Sequence, residues 1–106
     1  MRYLSNAFSL NMLSGNATVD VREVSLDQVK DLLSTQFTSA IGHAATSDYI
    51  RAVTGLDVNV NRIAITLNHG DQLLVLQMLS RLPEGVVLTQ DEVTKIPHKL
   101  YLVTVV

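Results

Sequence analysis

No cysteine occurs among the 106 residues, which excludes both a disulfide frame and a thiolate metal site. No apolar run approaches the roughly 18–20 residues needed to cross a bilayer, so no membrane span is expected. The amino terminus, MRYLSNAFSL, has one basic residue but no stretch of about 7–15 apolar residues ahead of a small-residue cleavage site, so a secretory signal is not expected either. A cytoplasmic location follows as the default. An excess of positive charge is missing too: the net charge is −2, which argues against nonspecific binding of duplex nucleic acid. A small phosphate ligand stays open, because attraction depends on where charge sits rather than on its sum.

Several motifs are also absent. There is no Gly-rich phosphate loop, no trustworthy Ser–His–Asp order and no interleaving of aromatic and basic residues for single-stranded nucleic acid. His43, His69 and His98 have no metal-ligand spacing with a nearby carboxylate, so no metal site is expected. No internal repeat, linker or low-complexity tract divides the chain. Its 47% apolar and 17% charged residues fit one small packed α/β domain over residues 1–106.

What is present is a set of short periodic segments. RYL at the amino terminus, residues 17–23 with alternating Ala17, Val19 and Val21, RIAITL at 62–67, QLLVLQML at 72–79 and the closing KLYLVTVV predict about five strands. RIAITL and QLLVLQML, joined by the turn NHGD, are expected to pair as a hairpin-like unit with Gly70 free to take positive φ, and the near-continuous apolar run of QLLVLQML predicts burial on both faces. Ser25 with Gln28 forms a capping-box pattern ahead of a short helix over 26–34, and STQFTSA reads as a loop. Ala45, Tyr49, Ile50 and Val53 predict a helix starting at His43 and ending at Gly55. Thr89 with Glu92 opens a further brief helix before Pro97.

A helix beginning at His43 would put that imidazole beside unpaired amide hydrogens and the positive end of the helix dipole, a setting suited to phosphate or carboxylate. Taken alone, a helix-start histidine bonded to backbone explains it as well. His69 and His98 read as solvated loop residues. Arg62 opens one predicted strand and Arg81 follows another; each suits phosphate, and each singly is also an ordinary edge charge.

Four segments shift this balance: LSNAFSLNML at 4–13, IGHAAT at 41–46, NRIAITL at 61–67 and SRLPEGVVLTQDE at 80–92. In content, order and spacing they resemble the viral ring nuclease family, type III anti-CRISPR proteins that degrade cyclic tetra-adenylate, with relatives in bacterial genomes. The resemblance implies a mixed five-stranded sheet flanked by helices and a homodimer. It implies His43 as the catalytic residue, with Arg81 and Glu84 beside it, and a nucleotide pocket lined by Asn6, Phe8, Ser9, Asn11, Gly42, Thr46 and Arg62. The acidic residue and serine that often follow the histidine in that family are Ala44 and Ala45 here, with Thr46 retained. The implied activity is metal- and cofactor-free cleavage to linear di-adenylate with 2′,3′-cyclic phosphate ends, in the cytoplasm of a prokaryotic host. On this reading Gly42 and the small alanines leave space for a phosphate, and glycine permits a turn that other residues resist. The alternatives are a noncatalytic sponge or sensor for cyclic oligoadenylate, and a small nucleic-acid-binding regulator.

Overall fold

The computed structural model describes residues 1–79 and 97–106. Five strands form one mixed sheet: β1 (Arg2–Ser5), β2 (Val19–Glu23), β3 (Thr38–Ser39), β4 (Gln72–Met78) and β5 (His98–Val105), in the spatial order β2-β5-β4-β1-β3. β1 runs parallel to both β3 and β4, whereas β5 is antiparallel to β4 and β2. Two helices, α1 (Leu26–Leu33) and α2 (Ala44–Thr54), and a 3-10 turn at Leu10–Met12 complete the described elements.

Alternation along the strands divides the core. Leu4, Leu74, Leu76 and Leu100 point to one face, where Val29 and Leu33 of α1 and Tyr49 and Ile50 of α2 cover them. Tyr3, Leu73, Val75, Tyr101, Val103 and Val105 point to the other, where no α-helix among the described residues lies over them; instead Phe8, Met12 of the 3-10 turn, Leu13, Ile65 and Leu67 pack there. β4 sits between β1 and β5 with Leu73 through Leu76 all buried, which is why its sequence is apolar without alternation. β2 is one of the two edge strands, and Val21 accordingly stays exposed despite its place in an alternating pattern.

Local chemistry explains the helix limits. The Ser25 hydroxyl accepts from the Gln28 amide at 3.2 Å, and the Gln28 carboxamide accepts from the Ser25 amide at 2.8 Å, so the capping box forms as its spacing predicts. α2 stops at Gly55, whose φ of +73° is left-handed and whose amide donates back to the Arg51 carbonyl at 2.7 Å.

Two expectations fail. RIAITL is extended but forms no strand: Leu67 makes a single bridge to Leu13, and the segment never pairs with β4. Its alternating Ile63, Ile65 and Leu67 are spent on packing over the open sheet face, with Ile65 and Leu67 buried and Ile63 exposed. The turn before β4 still has the predicted chemistry, since Gly70 takes φ +87° and the Asp71 amide donates to the Asn68 carbonyl at 3.0 Å. Conversely, STQFTSA is not all loop: Thr38–Ser39 pairs with Tyr3 and Leu4 as β3, a strand too short to show periodicity. The helix predicted after Thr89 lies outside the described residues.

Candidate functional site

The strand directions bring several connections to one end of the sheet. β1, β3 and β4 are parallel, so the segments leaving Ser5, Ser39 and Met78 all emerge at their shared carboxyl end, the edge where open α/β sheets bind ligands. The segment after β1 carries Asn6–Asn11, and the three residues after β3 lead to His43.

His43 is the N-cap of α2, in extended conformation at φ −132° and ψ 137°, with its carbonyl accepting from the Ser47 amide at 3.1 Å. Its side chain makes no capping hydrogen bond and is exposed. The reading of His43 as a self-satisfied cap therefore does not hold, and the ring stands at the amino end of an 11-residue helix beside exposed Ala44 and Ala45. Thr46 is different: it is buried in the first turn of α2 at 5% exposure, so it offers almost no surface to a ligand at the helix end.

Gly42 is not where the sequence argument put it. Its φ is not positive, so the turn does not demand glycine. A Cβ built there would lie 3.4 Å from Cγ and 3.8 Å from Cδ of Arg62, an ordinary contact distance. The aliphatic stem of Arg62 thus lies alongside Gly42, where the sequence argument placed a phosphate. Arg62 thus stands against the residue preceding His43, brought there by the strap 59–61: Val60 bridges to Ile41, and the Asn61 amide donates to the Ile41 carbonyl at 2.8 Å.

Arg62 also differs from the other arginines in the described residues. Arg2 donates to Gln72, the Leu32 carbonyl and Thr35, Arg22 pairs with Asp20, and Arg51 pairs with Asp48 and Asp57. The exposed Arg62 has no hydrogen bond or ion pair among the described residues. An arginine held by its stem with its charged end unassigned is suited to gripping an anion.

The amino-terminal motif is split between two hollows. Ser9 and Asn11 line one of about 290 Å³ with Ser5, Met12, Ala40 and Ile63, and the Ser9 hydroxyl donates to the Asn11 carboxamide oxygen. Phe8 instead lines a second of about 250 Å³ on the open sheet face with Val21, Val75, Gln77 and Tyr101, so it packs away from its two polar neighbours. Asn6 is half-buried between them in sequence. Ser5, Ala40 and Ile63 were invisible to sequence reasoning because their convergence depends on β1 pairing with β3 and on the path of the strap. Arg81 and Glu84 lie outside the described residues.

His98, expected in solvated loop, opens β5 instead. Its Nδ1 lies 2.7 Å from the Tyr49 hydroxyl, and the two rings meet edge to face at 5.8 Å. His69 is exposed as expected, with Nδ1 at 3.1 Å from the Val106 carbonyl. Among the described residues no three His, Asp or Glu side chains gather as a metal-binding group, and no helix is long and apolar enough to cross a membrane.

Residues 2–100 match the family described as STIV B116-like. The chain belongs to that family. Within the STIV B116-like family it is similar to "Uncharacterized protein 26" of a Sulfolobus islandicus filamentous virus, 33% identical with 100% of this chain and 92% of the relative covered. It is 31% identical to "Uncharacterized protein ORF117" of Acidianus two-tailed virus, over 95% of this chain and 90% of that protein. A bacterial relative, YddF of Bacillus subtilis, is 28% identical over 77% of this chain and 79% of its own length. The solved structure of B116 from Sulfolobus turreted icosahedral virus superposes with a TM-score of 0.87 at 27% identity, covering 97% of both chains. The mixed five-stranded fold is therefore shared with a viral member of the STIV B116-like family.

Proposed function

We propose that the protein is a metal-independent ring nuclease that opens cyclic tetra-adenylate, and so switches off type III CRISPR signalling. The observation that carries this reading is the pairing, at one end of the sheet, of an exposed uncapped His43 at a helix start with an arginine whose charged end has no protein partner among the described residues. The resemblance of the four motif segments to viral ring nucleases supplies the substrate class, and the viral relatives are in keeping with an anti-CRISPR role.

The chemistry suits these residues. In a 3′–5′ ring each 2′-hydroxyl already sits beside its phosphorus, so catalysis is mainly alignment. The 2′-oxygen bonds to phosphorus as the bond to the 5′-oxygen breaks; the hydroxyl proton passes to solvent, and His43 protonates the departing 5′-oxygen. The product ends in a 2′,3′-cyclic phosphate. Arg62 and the first amides of α2 stabilise the charge on the phosphorane, with Arg81 assigned to the same task by resemblance and Glu84 to orienting an arginine or holding a ribose hydroxyl. A hollow of about 290 Å³ is at the small end of the roughly 300–1,000 Å³ typical of ligand pockets, so one chain holds part of a tetranucleotide ring. A two-fold homodimer would present the same residues to opposite phosphodiesters of the four-fold ligand and yield di-adenylate.

Cleavage of radiolabelled cyclic tetra-adenylate in chelator tests the reading directly. His43→Ala should lower the single-turnover rate by about 10²–10⁴ while ring binding persists, saturating at one ring per two chains. Parent-like cleavage by that variant refutes the role of His43. Binding without cleavage by the parent favours the second reading, a sponge, for which the exposed Ala44 and Ala45 behind the histidine are the supporting feature.

A further inference from the structure

Arg62 lies in a segment without regular structure, yet the residues before it are tied down on three sides. The Asn61 amide donates to the Ile41 carbonyl at 2.8 Å, and its side-chain Nδ2 donates to the Ser39 carbonyl, also at 2.8 Å. The Ser39 hydroxyl returns a bond to the Asn59 carbonyl at 2.6 Å, and one step earlier the Val58 carbonyl accepts from Ser47 and from Arg51 of α2. These bonds run from the strap to the end of β3, to Ile41 beyond it, and to both the first and the last turn of α2. The register they set places the stem of Arg62 against Gly42.

We infer that Asn61 and Gly42 are positioning residues, which together aim the otherwise unanchored arginine at a phosphate bound in front of His43. This rests on the reading of Arg62 as an anion-binding residue. The physical reason for such a device is entropic. A free arginine side chain loses rotamer freedom when it grips a ligand, and holding its first carbons against the backbone beforehand removes part of that loss. Asn61 holds the strap through its main-chain amide to Ile41, two residues past the end of β3, and through its side chain to Ser39; losing the side-chain bond would loosen the strap beside Arg62 without touching the ligand. Gly42 acts by being small. At 3.4 Å a methyl group would meet the Arg62 stem in ordinary contact, whereas the bulkier side chain of valine would crowd it.

The test combines a ligand-free and a ligand-bound measurement. In the free parent protein, nuclear Overhauser contacts should connect Gly42 Hα to the Cγ and Cδ protons of Arg62; they should vanish in Gly42→Val and weaken in Asn61→Ala, with both variants checked for cooperative melting. Their absence from the parent overturns the inference whether or not any ring is bound. In titrations with cyclic tetra-adenylate, Arg62→Ala should weaken binding about 10- to 100-fold, as for loss of a charged hydrogen bond. Gly42→Val and Asn61→Ala should each cost about 3- to 10-fold, and Gly42→Ala less than about 3-fold. The deciding result is the double variant: in an Arg62→Ala background neither Gly42→Val nor Asn61→Ala should weaken binding further, because both act through the missing side chain. Full additivity would show that they serve the fold or the ligand directly, and refutes the inference. A parent that fails to bind the ring defeats the proposed function, and the Overhauser contacts then decide the positioning alone.

Discussion

Tyr49→Phe removes a single oxygen from the centre of the molecule. Tyr49 is 2% exposed, so the phenyl ring of the variant fills the same space and no cavity term enters. Among the described residues, what is lost is the 2.7 Å bond between its hydroxyl and Nδ1 of His98, which joins α2 to the first residue of β5. Loss of one hydrogen bond to a buried polar group costs about 1–3 kcal/mol; His98 is half-buried and can recruit water, which puts the expected loss in the lower half, about 1–2 kcal/mol. For a domain of this size that corresponds to a fall in Tm of about 5–15 °C. The pH dependence adds an independent sign. Burial raises the Tyr49 pKa above its ordinary value of 10.0, so the folded chain holds this proton more tightly than the unfolded chain. That contribution is complete below about pH 10 and is lost as pH rises through the folded value. The other tyrosines and the lysines titrate in parent and variant alike, so the stability gap between the two should narrow in alkaline solution. Urea titrations at neutral pH and above pH 10 measure it. A variant equal to the parent within about 0.3 kcal/mol at neutral pH, or a gap that widens with alkali, refutes the account of this bond.

Leu74→Ala should be the more damaging change, because Leu74 is 1% exposed on central β4 beneath the helices; a loss of about 2–5 kcal/mol by urea titration is expected. Asp71 accepts from the Asn68 amide at 3.0 Å, and this bond is the main reason its carboxyl titrates below the usual range, with burial opposing. Its stabilising contribution is present above about pH 4 and lost as pH falls through the folded value, so an Asp71→Asn variant should be less stable than the parent at neutral pH and converge on it in acid.

Local chemistry was legible wherever neighbours in sequence decide the outcome. The capping box at Ser25, the left-handed stop at Gly55, the turn at Gly70 and the N-cap position of His43 depend on residues within four positions of one another, and each forms as its spacing predicts. The double burial of β4 was legible too, since a strand between two others has no solvent face to mark with polar residues. Tertiary structure decided the rest. RIAITL has the alternation of a strand, but alternation records only that one side is buried; whether the backbone pairs depends on a neighbour that the sheet does not offer. β3 is two residues long and owes its pairing to β1, which no local pattern encodes. The same holds for the candidate site. His43 could be singled out from sequence because helix ends are local, whereas the role of Gly42 was misplaced because its neighbour Arg62 lies twenty positions away and reaches it across a strap held by Asn61 and Ser39. Sequence specified which residues could handle a phosphate; the register between the strap and the end of β3 decided which of them meet.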